Sequence, residues 1–243
     1  LSSWIGTVAG HMIGRSQKFP FSFASAYAIL SAEGQVSVVV EDVLALNGLS
    51  VELLAQLSYR SQLGPSLKRT LRHFEREPLI TELVFMTGWL DGQTILSEIA
   101  LDYRIKSYAS IVGKYERYFN SSRHVSKVFN DVLGFRAFCN SYASVLALNG
   151  PSFSVSDLSR GKAADDGYRG VHLYFQLDKE HYPIEIQFNT LYDRQLNNWL
   201  HDYLYKKTYP NGVGQQLRVR YETGKIRNQS EFEEALDNVL SGG

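Results

Sequence analysis

The sequence predicts an α+β protein whose mixed, partly antiparallel sheet is flanked by helices. Apolar residues alternate over residues 172–178 and again over residues 183–189, and only a short polar link separates the two segments. This pattern favours two strands that form an antiparallel hairpin. Helical spacing of apolar residues occurs before and after the hairpin, for example over residues 51–57 and 196–204. The chain of 243 residues is long enough to bury a substantial core.

Residues 1–93 form the first predicted region, which is mainly helical and contains no motif that indicates a chemical function. Residues 35–41 have a strand-like composition that fits a buried helical segment equally well. Ser50 is a suitable N-cap for a helix over residues 51–57. The sequence therefore assigns this region a structure but no function.

A second N-terminal helix is predicted to begin at residues 65–66 and to bury one stripe while exposing another. Its apolar stripe consists of Leu67, Leu71 and Phe74, and its basic stripe consists of Lys68, Arg72 and Arg76. Basic residues at every fourth position are typical of a solvated helix face, and they would also suit contact with a nucleic acid or an acidic partner.

The middle of the chain is predicted to change from helix to strand and back. Residues 79–118 are mostly helical in pattern, with a break near residues 88–92. After a polar turn, residues 132–139 have the composition of a strand that enters the core, and residues 142–148 suit a helix.

Beyond the hairpin the sequence predicts two helices separated by a loop. Thr190 is a suitable cap for a helix that ends near residues 206–207, residues 209–214 form the loop, and a capping box at residues 230–233 opens the last helix. The predicted divisions are a helical region over residues 1–93, a core over residues 94–209, and a C-terminal loop and helix over residues 210–243.

Basic and acidic residues are balanced, with 25 of each, so the chain lacks the global positive field of a nucleic-acid coat protein. The balance differs locally, because residues 104–136 contain seven basic and two acidic side chains. We therefore expect any polyanion to bind in this neighbourhood.

Cys139 is the only cysteine, which excludes an intrachain disulfide and predicts a reducing compartment, with the cytoplasm as the default. No apolar run approaches the roughly 20 residues of a membrane span, and the first residues lack the basic segment of a secretory signal. The six histidines include no H-E-x-x-H motif, so a histidine-based metallohydrolase is not supported. The missing initiator methionine is expected of a trimmed or partial chain.

Residues 103–114 concentrate the groups that bind phosphates. The cations are Arg104, Lys106 and Lys114, and the hydroxyl groups are those of Ser107 and Ser110. Gly113 would allow the backbone to approach a ligand closely. We expect this segment to form an anion-binding cradle, because charged donors and short hydroxyl groups bind phosphate strongly.

Two separate carboxylates follow the cradle, and they are Asp131 and Glu185. Because side chains alternate along a strand, Glu185 is predicted to share one sheet face with His172 and Gln187. A cradle together with two carboxylates is what a metal-dependent phosphoryl transfer requires. Taken singly, each of these residues is equally typical of a helix surface, a turn or an exposed strand position.

Four motifs occur in a fixed order along the chain. They are Arg104-x-Lys106-x3-Ser110-x3-Lys114, Asp131-x2-Gly134-x-Arg136, Gly167-Tyr168-Arg169-Gly170-x-His172 and Glu185-x-Gln187-x2-Thr190. In their order and spacing they resemble the synthetase domain of the RelA/SpoT family of alarmone synthetases. The resemblance covers roughly residues 95–208, about half of the chain.

The resemblance implies a nucleotidyltransferase-like core and a pyrophosphokinase activity. Such an enzyme moves the β,γ-diphosphate of ATP onto the 3′-hydroxyl of GDP or GTP, which makes ppGpp or pppGpp and releases AMP. The implied ATP-binding residues are Arg104 and Arg136 around the adenine and Lys106, Ser110 and Lys114 at the phosphates. The implied acceptor-binding residues are Tyr168, stacked on the guanine, His172, near the acceptor phosphates, and Gln187.

The resemblance also implies Mg²⁺ as the cofactor. Asp131 would ligate the metal, and Glu185 would orient the attacking 3′-hydroxyl or assist in binding the metal, so both are the implied catalytic residues. Because Mg²⁺ keeps several waters, one or two carboxylates are enough to hold it.

The chain departs from the family pattern on the acceptor side. Where a basic residue often precedes the Gly-Tyr pair, this chain has Ala164, Asp165 and Asp166, with Lys162 as the nearest cation. Asn189 stands where the family usually has an arginine before the threonine. Both differences reduce positive charge where the phosphates of an acceptor would bind.

Three functions are therefore compatible with the sequence. The first is a small, single-function alarmone synthetase, because no His-Asp hydrolase domain or ribosome-responsive region is recognisable. The second is a toxin that pyrophosphorylates the 3′-terminal adenosine of tRNA. The partners expected for such a toxin are tRNA and an antitoxin protein. The third is a catalytically silent nucleotide-binding regulator, against which the intact Asp131 and Glu185 argue.

Overall fold

A five-stranded sheet organises the part of the chain that the computed structural model describes, which is residues 38–148, 150–205, 207 and 209–242. The strands are β1 (Asp102–Ile105), β2 (Leu133–Phe138), β3 (Phe153–Asp157), β4 (Val171–Phe175) and β5 (Ile184–Asn189). They lie in the order β1-β2-β5-β4-β3. Only β2 and β5 are parallel, and the other neighbours are antiparallel. The predicted α+β class with a mixed sheet is therefore confirmed.

Ten α-helices accompany the sheet within the described residues. They are α1 (Val38–Ala45), α2 (Val51–Gln56), α3 (Arg76–Asp91), α4 (Ile95–Glu98), α5 (Tyr108–Tyr118), α6 (Val125–Val128), α7 (Tyr142–Leu146), α8 (Leu191–Trp199), α9 (Val213–Glu222) and α10 (Gln229–Leu240). A 3₁₀ turn spans Leu71–His73, and a π-helical turn at Leu200–Leu204 continues α8. In this described part, no helix has the length and apolarity needed to cross a membrane.

The two faces of the sheet differ in chemistry because side chains alternate along each strand. On β2, Leu133, Phe135 and Ala137 are fully buried, whereas Gly134 and Arg136 face the other way. The apolar face forms the main core. A second apolar cluster joins the C-terminal helices α8, α9 and α10 and includes Trp199, Leu217 and Phe232.

The hairpin and two helix caps agree with the sequence predictions. Strands β4 and β5 pair antiparallel, with His172 opposite Gln187. Ser50 accepts a hydrogen bond from the amide of Leu53, and Thr190 accepts one from the amide of Asp193. These features were predictable because a cap and a two-residue period depend only on neighbouring residues.

The helix predicted after residues 65–66 is wrong. This segment consists of turns and the 3₁₀ turn before α3 begins at Arg76. Its backbone bonds instead to segments that are distant in the sequence. The amide of Leu67 donates to the Lys179 carbonyl, and the Arg69 carbonyl accepts from the amide of Val125. The apolar residues Leu67, Leu71 and Phe74 are buried as a helix stripe would be. Their burial alone produced the helical pattern.

The helical prediction for residues 79–118 is partly wrong. Helix α3 continues through Gly88 and ends at Asp91, so the predicted break falls at the end of the helix. The strand β1 was not predicted, because it has only four residues and three of them are exposed at the edge of the sheet. An alternation of Tyr103 and Ile105 with two polar residues is too short to distinguish a strand from its helical surroundings. Strand β3 was missed as well.

The C-terminal prediction missed a helix. Helix α9 begins at Val213, within the predicted loop, and runs to Glu222. The last helix is capped by Asn228, whose side chain accepts from the amide of Glu231, so the predicted capping box lies two residues too late. The N-terminal part of the predicted helical region, residues 1–37, lies outside the described residues.

Candidate functional site

The polar face of the sheet brings the predicted motifs into two rows. In the first row, Arg104 pairs with Gly134, Gly134 with Glu185, and Glu185 with Tyr174. In the second row, which lies two residues further along, Arg136 pairs with Gln187, and Gln187 pairs with His172. Residues that are separated by more than 80 positions thus meet on one rigid surface.

Gly134 separates the arginine from the carboxylate in the first row. A Cβ atom at this position would lie 3.4 Å from Oε2 of Glu185. Glycine therefore leaves the space between Arg104 and Glu185 open, where any other residue would place a side chain. This accounts for the glycine of the Asp131-x2-Gly134-x-Arg136 motif.

Glu185 is a buried carboxylate whose oxygens accept several hydrogen bonds. His172 Nδ1 lies 3.0 Å from Oε1, the Tyr174 hydroxyl donates to Oε1 at 3.1 Å, and Gln187 Nε2 donates to Oε2 at 2.7 Å. Burial raises the pKa of Glu185, but the hydrogen bonds and the charge of His172 outweigh burial, so the pKa lies below its usual value. Glu185 is therefore held as a carboxylate.

Tyr168 extends this network toward the loop that precedes β4. Its hydroxyl lies 2.8 Å from Nε2 of His172, and the two rings meet edge to face. Burial raises the pKa of Tyr168 to about 12, so the hydroxyl stays protonated near neutral pH. The side chains of Tyr168, His172 and Glu185 form a continuous hydrogen-bonded chain, which we call the Tyr–His–Glu chain.

Asp131 forms a second charged centre with the lysines of the cradle, which we call the Lys–Asp cluster. Lys106 Nζ lies 2.5 Å from Oδ2 of Asp131, and Lys114 Nζ lies 2.9 Å from Oδ1. Burial raises the pKa of Asp131, but the two ammonium groups lower it by a larger amount. The pKa therefore lies below its usual value. The cluster therefore holds two cations with one buried anion.

Arg104 connects the Lys–Asp cluster with Glu185. Its Nη2 atom is 3.7 Å from Oδ2 of Asp131, and its side chain lines the same cleft as Glu185. The negative charge of Asp131 raises the pKa of both Glu185 and Tyr174, so the two carboxylates lie within electrostatic range of each other. Asp131 is not among the residues that line this cleft, and Arg104 forms the contact between it and the wall that carries Glu185.

The cradle is the start of a helix rather than a loop. Ser107 caps α5, and its hydroxyl donates to Oγ of Ser110 at 3.0 Å. Ser110 is exposed in the first turn, where backbone amides and the helix dipole favour anions. Gly113 lies inside α5 with open space where a Cβ would be. Within the described residues, Ser110 makes no bond to the other predicted site residues.

A cleft of about 150 Å³ opens on this face of the sheet. Five of the predicted residues line it, namely Arg104, Arg136, Tyr168, Glu185 and Gln187. This volume is smaller than the roughly 300–1,000 Å³ of pockets that bury most of a drug-sized ligand. The cleft would therefore enclose only part of a nucleotide, and the rest would lie along the open face of the sheet.

The sequence predictions missed one wall of the cleft. Asn197, Asn198, His201 and Tyr205 line it, from α8 and the π-helical turn that follows. The turn widens the helix, since the amide of Tyr205 bonds to the Leu200 carbonyl five residues earlier, and such turns are frequent at functional sites. The polar residues at positions 197, 201 and 205, four apart, could have indicated this wall. The sequence analysis interpreted the helix by its apolar stripe instead and assigned it to the core.

The two acidic residues before the Gly-Tyr pair shape the turn. Asp165 accepts from the amide of Gly167 and pairs with Arg169 at 2.7 Å, and Asp166 accepts from the amide of Tyr168. Lys162 pairs with Asp166 at 2.5 Å, and its Nζ lies 5.3 Å from the centroid of the Tyr168 ring. A cation therefore remains beside the tyrosine.

The carboxylates suit a magnesium ion that arrives with a nucleotide. Within the described residues, no group of three or more His, Cys, Asp or Glu side chains could hold a metal by itself. Mg²⁺ is commonly held by one or two carboxylates and by substrate phosphates. Asp131 and Glu185 would provide such oxygens, and the first turn of α5 lies next to Lys106 in the chain.

Comparison with known proteins gives matches among solved structures only. No family model matches the chain, and no curated protein matches it. The small alarmone synthetase 2 of Bacillus subtilis matches with a TM-score of 0.39 and 20% identity, over 68% of this chain and 98% of that one. The small alarmone synthetase 1 of the same organism, bound to its product pppGpp, matches with a TM-score of 0.38 and 20% identity, over 66% and 92%.

A GTP pyrophosphokinase family protein from Streptococcus pneumoniae matches with a TM-score of 0.36 and 17% identity, over 59% of this chain and 79% of that one. These solved structures are two small alarmone synthetases and a GTP pyrophosphokinase family protein. The four sequence motifs resemble the synthetase domain of alarmone synthetases. The functional proposal is argued from the residues of the site.

Proposed function

We propose that the chain is a pyrophosphokinase that transfers the β,γ-diphosphate of ATP to the 3′-hydroxyl of GDP or GTP. The observation that carries the proposal is the position of Glu185, a charged carboxylate that lines one cleft with Arg104 and Arg136. The Tyr–His–Glu chain joins this carboxylate to Tyr168, the residue expected to stack on the acceptor base.

On the phosphate-donor side, the Lys–Asp cluster and the first turn of α5 would bind the triphosphate of ATP. Lys106 and Lys114 both pair with Asp131, so the two ammonium groups are gathered at one place. Mg²⁺ bound with ATP would offset the charge of the transferred diphosphate. Arg104 and Arg136 would lie against the adenine, as planar guanidinium groups stack well on rings.

On the acceptor side, Tyr168 would stack on the guanine and Glu185 would accept the proton of the 3′-hydroxyl. The 3′-oxygen attacks the β-phosphorus, the bond from this phosphorus to the bridging α–β oxygen breaks, and AMP leaves with that oxygen. His172 would orient Glu185, since both of its ring nitrogens are engaged by site residues. Most of the catalysis would come from positioning and charge stabilisation.

The test is incubation with γ-labelled ATP and Mg²⁺ in the presence of GDP, GTP or deacylated tRNA. We expect label in GDP or GTP together with equimolar AMP. Label in tRNA alone would overturn the proposed acceptor but keep the chemistry. Nucleotide binding without AMP release would favour the silent regulator.

One observation favours tRNA pyrophosphorylation as the second candidate. Five exposed cations form a surface that we call the basic cluster, and they are Lys68, Arg69, Arg72, Arg123 and Lys127. The chain segments that carry them run side by side, because the amide of Ser126 bonds to the Leu67 carbonyl and Thr70 forms a bridge with His124. Within the described residues, no carboxylate pairs with these five cations.

The basic cluster reaches the site through Lys127. Its Nζ lies 5.8 Å from the centroid of the Tyr174 ring, and the Tyr174 hydroxyl donates to Glu185. Arg76, which the sequence placed in the same stripe, is instead neutralised by Glu77 and Glu116. A phosphate backbone on the cluster would therefore lead toward the predicted catalytic carboxylate.

Charge reversal separates the two candidates. Under the tRNA hypothesis, the triple variant Lys68→Glu, Arg69→Glu, Arg72→Glu weakens tRNA binding and reduces its salt dependence, whereas transfer to GDP is unchanged. The control is Lys225→Glu, in the turn after α9. Equal tRNA binding by the triple variant and the wild-type chain would remove the support for this candidate.

A further inference from the structure

The loop that carries Tyr168 is fixed by side chains from distant parts of the chain. We call residues 165–170 the Tyr168 loop. The Arg169 carbonyl accepts hydrogen bonds from Nδ2 of Asn189 at 2.8 Å and from Nδ2 of Asn197 at 2.7 Å. The amide of Arg169 donates to Oδ1 of Asn197 at 3.2 Å, and the Tyr205 hydroxyl donates to the Asp166 carbonyl. The backbone on both sides of Tyr168 is thus held by side chains.

Arg218, on α9, provides the remaining contact, and its side chain is fully buried. Its Nε donates to the Gly167 carbonyl at 2.8 Å, Nη1 pairs with Asp193 at 2.6 Å, and Nη2 donates to Asn197 at 3.2 Å. One guanidinium therefore bonds to the Tyr168 loop directly and also to a residue that holds the loop. A buried guanidinium is tolerated only with such partners.

The backbones of the loop and of α9 touch. Gly167 has a positive φ of +86°, and a Cβ atom there would lie 2.3 Å from the Gly214 carbonyl oxygen. A Cβ on Gly214 would lie 2.0 Å from the Asp166 carbonyl oxygen. Neither position has room for a side chain, so the start of α9 determines how close the loop lies to the cleft.

We infer that Arg218 is a positioning residue for the acceptor, because it fixes the loop that places the Tyr168 ring beside His172 and Glu185. The inference rests on the proposed function only for the identity of the acceptor. It makes α9 part of the site, although the helix lies outside the segment that carries the four motifs. It also explains why a guanidinium from outside the four motifs is buried against the Gly167 carbonyl.

The test compares Arg218→Lys with Leu217→Ala. Lysine keeps a charge for Asp193 but cannot reproduce the three directed bonds of a guanidinium. Leu217 is the adjacent residue, is fully buried in the C-terminal apolar cluster and serves as a control for lost stability. We expect Arg218→Lys to raise the KM for the acceptor about tenfold or more while the KM for ATP changes little, since small misplacements of a substrate-positioning group are costly. Leu217→Ala lowers Tm without this selectivity.

A second variant tests the same point without removing a buried charge. Gly214→Ala pushes on the Asp166 carbonyl from the α9 side, so it should raise the acceptor KM in the same way. The inference would be overturned if the KM for ATP rose as much as the KM for the acceptor. It would also be overturned if Leu217→Ala raised the acceptor KM selectively.

Hydrogen–deuterium exchange of the free protein separates this inference from the proposed function. We expect amides of the Tyr168 loop to exchange faster in Arg218→Lys and Gly214→Ala than in Leu217→Ala. If the wild-type chain transfers nothing to GDP or GTP, the proposed function fails, yet exchange still decides whether Arg218 holds the loop. If the amides of the Tyr168 loop exchange at the wild-type rate in both Arg218→Lys and Gly214→Ala, the positioning role is overturned. This holds even if the wild-type chain transfers diphosphate to GDP or GTP.

Discussion

The Lys–Asp cluster and the Tyr168 loop are organised in different ways. The cluster is held together by charge, because Lys106 and Lys114 both pair with the buried Asp131 and Arg104 lies 3.7 Å from it. The loop is short, and its geometry depends on Asn189, Asn197 and Arg218, which come from β5, α8 and α9. The Lys–Asp cluster thus depends on one buried carboxylate, whereas the position of the Tyr168 ring depends on support from several elements.

This difference predicts distinct responses to mutation. Changes in the cluster should act through charge and respond to pH. Changes around the loop should act through geometry and affect one substrate more than the other. Glu185 lies between the two regions, where β5 crosses the sheet, so its substitution should have the largest effect.

Glu185→Gln should reduce AMP release by about 10²–10⁴-fold, because the amide cannot accept the proton of the acceptor hydroxyl. The fold should persist, since glutamine has the same shape and can still accept from Tyr174. AMP release is measured by chromatography, with a circular dichroism melt as the control. Turnover near that of the wild-type chain would mean that the catalytic centre lies elsewhere.

Asp131→Asn should lower the free energy of unfolding by about 3 kcal/mol at neutral pH, because Lys106 and Lys114 lose their anionic partner in a largely buried setting. The pKa of Asp131 is lowered in the folded state, so its contribution is present above its ordinary pKa, near 3.9. The contribution is lost as the pH falls through the lower folded-state value.

Urea unfolding at pH about 7 and at pH about 2 measures this difference. The double variant Lys106→Met, Asp131→Leu, which removes one charge of each sign, should be less destabilised than Asp131→Asn. An equal loss of stability at both pH values would show that the interaction is not electrostatic.

Tyr168→Ala should raise the acceptor KM about tenfold, in line with the roughly 1–3 kcal/mol of a base stacked on an aromatic ring. Tyr168→Phe keeps the ring and loses only the hydrogen bond to His172, so its effect should be smaller and should appear in turnover. Initial-rate kinetics with each substrate varied in turn separate the two effects. Identical values for both variants would argue against stacking.

The thiol of Cys139 is a probe of the region around Asp193, which pairs with Arg218. Burial, followed by the charge of Asp193, raises the pKa of its thiol to about 11, so few thiolates form near pH 8. We expect labelling by a thiol reagent to be about 10²-fold slower in the native chain than in urea, since the thiolate is the reactive form. Rapid native labelling would mean that the surroundings of Asp193 open readily.

The sequence predicted the hairpin, the strand β2 and the caps of α2 and α8, because each depends on short-range periodicity or on one neighbouring side chain. It also predicted residues that the structure collects on one sheet face, with Glu185 beside Gln187 and His172. It did not predict β1, which is exposed and only four residues long, or α9, whose buried Arg218 interrupts the expected pattern of a core helix. It mistook the buried residues Leu67, Leu71 and Phe74 for a helix stripe.

The sequence alone determined which residues are candidates for the chemistry, since the cations and hydroxyl groups of residues 103–114 lie together in one short segment. Only the tertiary structure decided which of them face one another. Gly134 opens the space beside Glu185, and Arg218 reaches the Gly167 carbonyl from 51 positions away. The physical reason is that a local pattern records which face a side chain takes, whereas its partner across the sheet is set by register and packing over the whole chain.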